Sequence, residues 1–246
     1  MMNQLILVNL VHQNVHQDYN LEALDRWLGD LSMFSGISGI LFFIYGRKHR
    51  TNVSTVLVII LVLSFLADTS NYFFVRLILQ NSYIIGNIWL IANYFAMLWL
   101  FSEVLDIRKS LYLILGSVFA TGGIISFGLW YTFLEFNTFT LVWSNITFIF
   151  LSLIAYFQLL RKPNIVLAKQ PVFWISTSFF VYYCLIFLQS IFNNYLIFDL
   201  VISDSGYTAI NMINHIANIS KNFVLFYALI LLHKGFPGSL KSLHPA

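Results

Sequence analysis

Seven long apolar stretches, separated by short polar segments, occupy nearly the whole length of this 246-residue chain. Each stretch has about 20 residues or more, which is the length of a helix that crosses the hydrocarbon core of a bilayer. The pattern therefore predicts an all-α, polytopic membrane protein built as a seven-transmembrane-helix bundle. The predicted spans are residues 27–46, 53–79, 84–105, 111–133, 138–160, 172–198 and 208–232.

The last of these spans, residues 208–232, carries a stripe of polar side chains on an otherwise apolar body. At about 100° per residue, the polar side chains fall within about 120° of one helix face. Hydrocarbon offers such groups no hydrogen bonds, so we expect neighbouring helices to cover the stripe. It consists of Asn211, Asn214, His215, Asn218, Lys221 and Asn222.

The composition agrees with a membrane location. Hydrophobic residues make up 59% of the chain and charged residues 9%, which lies outside the range of soluble globular domains. The slight excess of basic residues bears on topology rather than on nucleic-acid binding. We therefore expect a lipid bilayer around the chain and no nucleic-acid partner.

The positions of the basic residues predict the topology. Ten of the thirteen lysines and arginines fall on the side that holds the carboxyl terminus, and cytoplasmic loops are the ones enriched in basic residues. This predicts a multi-pass protein of the cytoplasmic (inner) membrane with its amino terminus outside. The predicted domains are an extracytoplasmic segment with a short interfacial helix at 1–26, the seven-helix domain at 27–234, and a short cytoplasmic tail at 235–246.

Lys221 lies at mid-membrane depth. It is thirteen residues from both Thr208 and Lys234, or about 20 Å from each end of the helix. A central ammonium costs at least about 2.5–3.5 kcal/mol on insertion scales, so it needs polar partners inside the bundle. Asp68 is the one acid well inside a predicted span, and lies roughly 7 Å further outward.

These depths predict that Asp68 and Lys221 face one polar, outward-opening cavity that binds a small ligand or a proton. Ser178, Tyr182, Gln189 and Asn193 align on one side of the sixth span, and of these we expect Gln189 and Asn193 to line the cavity. The other predicted binding residues are Asn71, Asn93, Gln189, Asn193, Asn214, His215 and Asn218.

Packing is the simpler alternative. Interhelical hydrogen bonds between asparagines are worth below about 1–2 kcal/mol each, and Lys221 could bond to backbone carbonyls with no ligand involved. For Lys221 we favour function, because an ionisable group at mid-membrane is expensive and rarely kept for packing alone.

The chain lacks the residues of the common enzyme classes. Cys184 is its single cysteine, and no GxSxG, HExxH or glycine-rich phosphate loop is present. His215 is the one histidine deep in a predicted span, too few for a metal centre. We predict no enzymatic activity and no metal. Two alternatives remain: a carrier of a small solute or of protons, and a rhodopsin-like protein with retinal on Lys221.

The segments DTSNYFF in the second span, NIWLIANYF in the third and NHIANISKNF in the seventh belong to seven closely spaced, aromatic-rich spans with short basic inner loops. This layout resembles the seven-helix membrane regions of bacterial sensor histidine kinases and their stand-alone relatives. The resemblance implies a bacterial membrane sensor or receptor. Because only a short tail follows Lys234, we expect such a sensor to signal through a cytoplasmic or membrane partner in trans.

Overall fold

A computed structural model describes residues 21–45, 51–73, 83–129, 137–162, 166–199 and 204–238 of the chain. The first span consists of two segments, α1 (residues 21–35) and α2 (Ile37–Tyr45), which meet at a turn at Gly36. The helices that follow are α3 (Asn52–Phe73), α4 (Tyr83–Val104), α5 (Lys109–Leu129), α6 (Thr138–Leu160), α7 (Pro171–Asp199) and α8 (Asp204–His233). A short 3₁₀ helix, Leu167–Lys169, precedes α7.

These helices confirm the predicted all-α architecture, since the described residues form no strand. Seven helices of the described chain are long and apolar enough to cross a membrane, and the protein is multi-pass. The first of them begins at Leu21, six residues before its predicted start, so the expected interfacial helix is continuous with the span.

Local hydrogen bonds explain where α6 begins and where α8 ends. At the start of α6, Asn137 Oδ1 accepts a hydrogen bond from the backbone N–H of Thr140 and caps the helix. At the end of α8, Gly235 has φ +83°. Its N–H donates to Leu232 O and the N–H of Phe236 to Leu231 O, which is a Schellman ending.

The helices form a closed ring with one member outside it. The α2 segment packs on α3, α3 on α4, α4 on α6, α6 on α7, and α7 on α8, which returns to α2 and α3. Helix α5 packs from outside on α4 and α6. Its outer face exposes large apolar side chains such as Leu113 and Ile124, as expected for a lipid-facing helix.

Aromatic rings fill the space between α4, α5, α6 and α7. Tyr94 stacks on Phe119 with 3.6 Å between ring centroids, and Phe148 lies 5.2 Å from Tyr94 and 5.0 Å from Tyr183. All these rings are buried. We call the following buried rings the aromatic core: Tyr94, Phe101, Phe119, Phe148, Phe179 and Tyr183.

Candidate functional site

The polar stripe of α8 packs against α1. The Nδ2 of Asn218 donates to Ser32 Oγ at 2.8 Å, and the Nδ2 of Asn222 donates to Ser35 Oγ at 2.7 Å. One or two turns away, His215 Nε2 lies 3.6 Å from Asp25 Oδ1. Residue numbers increase together along both helices, so α1 and α8 run parallel. Lys221 and Asn222 are buried as predicted, and the other four residues of the stripe are half-buried.

Small residues on the first span permit this close approach. A Cβ added at Gly29 would lie 3.4 Å from His215 Nε2, and one at Gly36 would lie 3.7 Å from Asn222 Nδ2. A Cβ at Gly39 would lie 2.7 Å from Leu61 Cδ1. Positions 29, 32, 36 and 39 repeat every three or four residues, which places these small residues on one face.

Asp68 joins α3 to the same group. Its side chain is half-buried, and its Oδ2 accepts a long, 3.5 Å hydrogen bond from Asn218 Nδ2. It also interacts electrostatically with Lys221 and with His215. Asn218 thus bridges α1 and α3 from its position on α8.

Lys221 of α8 is the last member of the group, and it contacts α7. It is only 5% exposed, and its Nζ lies 4.4 Å from the centroid of the Tyr182 ring, within the range of a cation–π contact. Ser178 Oγ donates to the carbonyl oxygen of Lys221 at 3.0 Å, which fastens α8 to α7 at this level. Within the described chain, Lys221 Nζ is not in direct ion-pair contact with Asp68.

We call this group the polar cluster. It is held by α1, α3 and α8, and its charged or titratable members come from all three helices. Its members are Asp25, Asp68, His215, Asn218 and Lys221.

Asn214 lies about two turns from Lys221 on nearly the same face of α8. Its Oδ1 is buried and has no hydrogen-bond partner within the described residues. Among the sequence-predicted residues, the structure therefore brings together Lys221, Asp68, His215 and Asn218, with Asn214 on the same side of the helix.

The remaining predicted residues lie elsewhere. Asn93 is buried against the aromatic core, where its Nδ2 donates to Tyr183 Oη at 3.1 Å. Gln189 is half-buried on α7 and makes no hydrogen bond to the polar cluster within the described chain. The side chains of Asn71 and Asn193 lie outside the described residues.

Sequence reasoning missed the part of the site that α1 supplies. Asp25 counted only as an outer acid, and Ser32 and Ser35 were not singled out, because no pattern in one helix shows which helix packs beside it. The repeat of glycine and serine at 29, 32, 36 and 39 is the sequence signal that could have indicated a close helix partner for the first span.

A second buried polar group has a structural role. Asn87 Oδ1 accepts a hydrogen bond from the backbone N–H of Asn137 at 3.2 Å, and Asn137 Oδ1 accepts from Ser126 Oγ at 3.0 Å. Together with the cap on Thr140, these bonds tie the start of α6 to α4 and α5. This group holds uncharged side chains and joins three helices, and Asn137 Nδ2 is its one buried atom without a hydrogen-bond partner within the described residues.

The chemistry open to the polar cluster is hydrogen bonding and proton exchange. It combines carboxylates, an imidazole and an ammonium. In the part of the chain that the structure describes, no three or more histidine, cysteine, aspartate or glutamate side chains come together as a metal site would require. No protein-family model matches the chain, and neither a curated protein nor a solved structure matches it.

Proposed function

We propose that this protein is a seven-helix membrane sensor that binds a small ligand or a proton at the polar cluster and signals to a partner in trans. The proposal includes an extracytoplasmic amino terminus, a cytoplasmic carboxyl terminus, and the bacterial cytoplasmic membrane as its location. Non-enzymatic action, without metal or cofactor, is part of the same proposal.

One observation carries the proposal: a nearly fully buried lysine near the middle of a helix that is long and apolar enough to cross a membrane, without a direct ion pair to the acid that interacts with it. Ionisable groups inside membrane helices are costly and commonly mark ligand, ion or proton sites. Packing alone would be served better by an apolar side chain of the same volume.

The first span supplies a means of signalling. The α1 segment is bonded to α8 through Ser32, Ser35 and Asp25, and it ends at the turn at Gly36. A ligand or proton that changes the contacts between α1 and α8 favours one of two arrangements of these segments. The α2 segment, which contacts both α3 and α8, passes the change toward the opposite end of the bundle.

That opposite end presents a basic surface to a partner. Gln158 at the end of α6 exchanges hydrogen bonds with the backbone of Asp106 in the α4–α5 loop. His233 lies 5.4 Å from Phe42, which brings the ends of α8 and α2 to the same side. The basic residues of the described chain at this end are Arg108, Lys109, Arg161, Lys162, Lys169 and Lys234.

The test uses the full chain in lipid vesicles that contain a pH-sensitive dye. An external pH step and a panel of small solutes are applied, and amide hydrogen exchange is followed at residues 105–109. A sensor changes exchange at this loop without acidifying or loading the vesicle, and Lys221→Met removes the change. Arg26→Met, an exposed basic residue outside the cluster and away from the monitored loop, is the matched control and keeps the response.

Two results would assign another function. Counterflow of a solute or net proton entry that needs Lys221 would make the protein a carrier. A visible absorption band with all-trans retinal, bleached by hydroxylamine and absent from Lys221→Met, would make it a rhodopsin-like protein. An unchanged response in Lys221→Met would contradict any role for the cluster.

A further inference from the structure

We propose that the polar cluster binds a small primary ammonium ion, and that this ion competes with protonation of His215. The inference rests on the proposed function and names the class of ligand for the same site. Two features of the polar cluster support it: the side-chain oxygens that have no hydrogen-bond partner, and the net charge of the cluster.

The unused polar atoms of the three helices are oxygens. On α1, α3 and α8, every buried side-chain polar atom without a hydrogen-bond partner is an oxygen, as far as the described residues show. Carboxylate and amide oxygens accept hydrogen bonds and cannot donate them unless protonated. The carboxylate and amide oxygens in this set are Asp25 Oδ1, Asn214 Oδ1 and Asn222 Oδ1, and the hydroxyls are Ser64 Oγ and Thr69 Oγ1.

The amide donors of Asn218 and Asn222 are, by contrast, engaged. Asn218 Nδ2 donates to both Ser32 Oγ and Asp68 Oδ2, and Asn222 Nδ2 donates to Ser35 Oγ. Lys221 Nζ lies over the Tyr182 ring. No donor of the described chain reaches the free oxygens of Asp25 and Asn214, so a ligand that donates hydrogen bonds fits them.

Two of the free acceptors, those of Asp25 and Asn214, lie near the level of His215 on α8, and Asp68 lies about one turn further along at Asn218. Asn222, by contrast, is about 12 Å from Asn214 along the helix. Asn214, Asn218 and Lys221 fall within about 60° of one face of α8. Asp68 of α3 lies opposite Asn218 on this face, and Asp25 of α1 lies beside the neighbouring His215.

The charge of the cluster points to a cation. Asp25 faces His215 from α1, Asp68 faces it from α3, and Lys221 is on the same helix. With His215 neutral, two carboxylates and one ammonium leave one unbalanced negative charge. Asp30 is about 140° from Asp25 around α1, and Glu22 pairs with Arg26 in an exposed position, so neither changes this sum at the site.

Two cations cancel that charge: a proton on His215, or a bound monocation. An ammonium with N–H groups does so and also donates to the free carboxylate and amide oxygens. A quaternary ammonium has no such donors and needs an aromatic cage, whereas the Tyr182 ring at the cluster is already covered by Lys221. A sodium ion balances the charge as well, but it donates no hydrogen bonds to these oxygens.

The experiment measures binding to the purified full chain by calorimetry and by ligand-dependent thermal stabilisation, at constant ionic strength. The probes are methylammonium, tetramethylammonium, sodium and acetate. We expect saturable binding of methylammonium, and binding of tetramethylammonium and sodium at least about tenfold weaker, since each lacks N–H donors. Acetate should not bind.

Variants locate the site. Asp68→Asn should weaken methylammonium binding by about ten- to a hundredfold, since a charge-assisted hydrogen bond is lost. Asp106→Asn, an exposed acid at the opposite end of the bundle, should bind as the wild type does. Asp25→Asn should weaken binding as well, with Glu22→Gln on the same helix as its matched control. If Asp68→Asn does not fold, the comparison of Asp25→Asn with Glu22→Gln tests the location of the site.

The pH dependence tests the competition. Lowering the pH should weaken methylammonium binding to the wild type, because protonated His215 already supplies the positive charge. His215→Gln should bind methylammonium with little dependence on pH over the same range.

Four results would overturn the inference: no saturable methylammonium binding, equal binding of tetramethylammonium or sodium, equal effects of the cluster and control variants, or pH dependence that survives in His215→Gln. Saturable acetate binding that Lys221→Met abolishes would overturn the ammonium ligand while leaving the proposed sensor intact. A proton response that requires Lys221, in a chain that binds no methylammonium, would have the same meaning.

Discussion

The aromatic core and the polar cluster belong to one bundle, but they hold their polar atoms differently. In the core, Asn93 donates to Tyr183 Oη, and Tyr94 Oη donates to Leu115 O at 3.2 Å. In the cluster, Asp68 receives a single long hydrogen bond and Asp25 Oδ1 receives none within the described residues. Because a buried polar group left unpaired costs about 1–3 kcal/mol, the core should carry the stability and the cluster should reduce it.

Charge, rather than unpaired atoms alone, separates the two regions. Asn145 on α6 is fully buried, and both its Nδ2 and its Oδ1 lack hydrogen-bond partners within the described chain. No hydrogen bond joins it to the polar cluster in the described structure. A neutral unpaired amide is a local cost, whereas a buried ammonium among carboxylates is a site where a ligand or proton changes the energy balance.

The largest effect should come from the aromatic core. Phe148→Ala removes a fully buried ring that contacts both Tyr94 and Tyr183, and should lower the free energy of unfolding by about 3–5 kcal/mol. Unfolding of the purified protein in mixed micelles measures this. Phe150→Ala is the matched control on the same helix. Its ring is 61% exposed, so the change should stay within about 0.5 kcal/mol. Similar losses in both variants would contradict the assignment of the core.

The next effect should come from the interaction between Asp68 and Lys221. Asp68→Asn leaves Lys221 without the acid that interacts with it, and should cost about 2 kcal/mol, less than a fully buried ion pair because Asp68 is half-buried. Adding Lys221→Met should restore most of the loss, since the buried ammonium that lost its acid is then removed as well. A double-mutant cycle measures the coupling. Additive effects would show that the two residues do not interact.

A smaller effect should come from the helix contact that supports the cluster. Gly39→Ala places a methyl group 2.7 Å from Leu61 Cδ1, and should cost about 1 kcal/mol as the leucine side chain moves aside. Gly128→Ala is the control, because a Cβ there meets nothing within 4 Å. It should leave thermal stability unchanged or slightly raised. Equal destabilisation by both substitutions would argue against close packing of α2 on α3.

Hydropathy was sufficient to predict the helices. Helix α6 runs from Thr138 to Leu160, the bounds predicted for the fifth span, and α8 ends at His233 with Gly235 beyond it. Both follow because apolar length and termination signals are local in sequence. Lys221 could likewise be singled out from depth alone. Its burial next to Tyr182 agrees with the expectation that other helices cover it.

The partners of each polar residue were harder to predict. Asn93 lies at a depth suited to the cluster, yet it faces Tyr183 and the aromatic core. Asp25 lies before the predicted first span, yet it reaches His215. Depth follows from counting residues along one helix, but the direction a helix face points depends on contacts with other helices, which hydropathy does not encode.

The central claim is that the polar cluster is kept for function rather than for packing, and the stability of the double variant Asp68→Asn/Lys221→Met tests it without knowledge of the ligand. We predict that this double variant unfolds with about the same free energy as the wild type or a greater one, because the two interacting charged groups are replaced together by neutral side chains of similar size. A loss of several kcal/mol in the double variant would show that the pair holds the helices together, and would contradict the account.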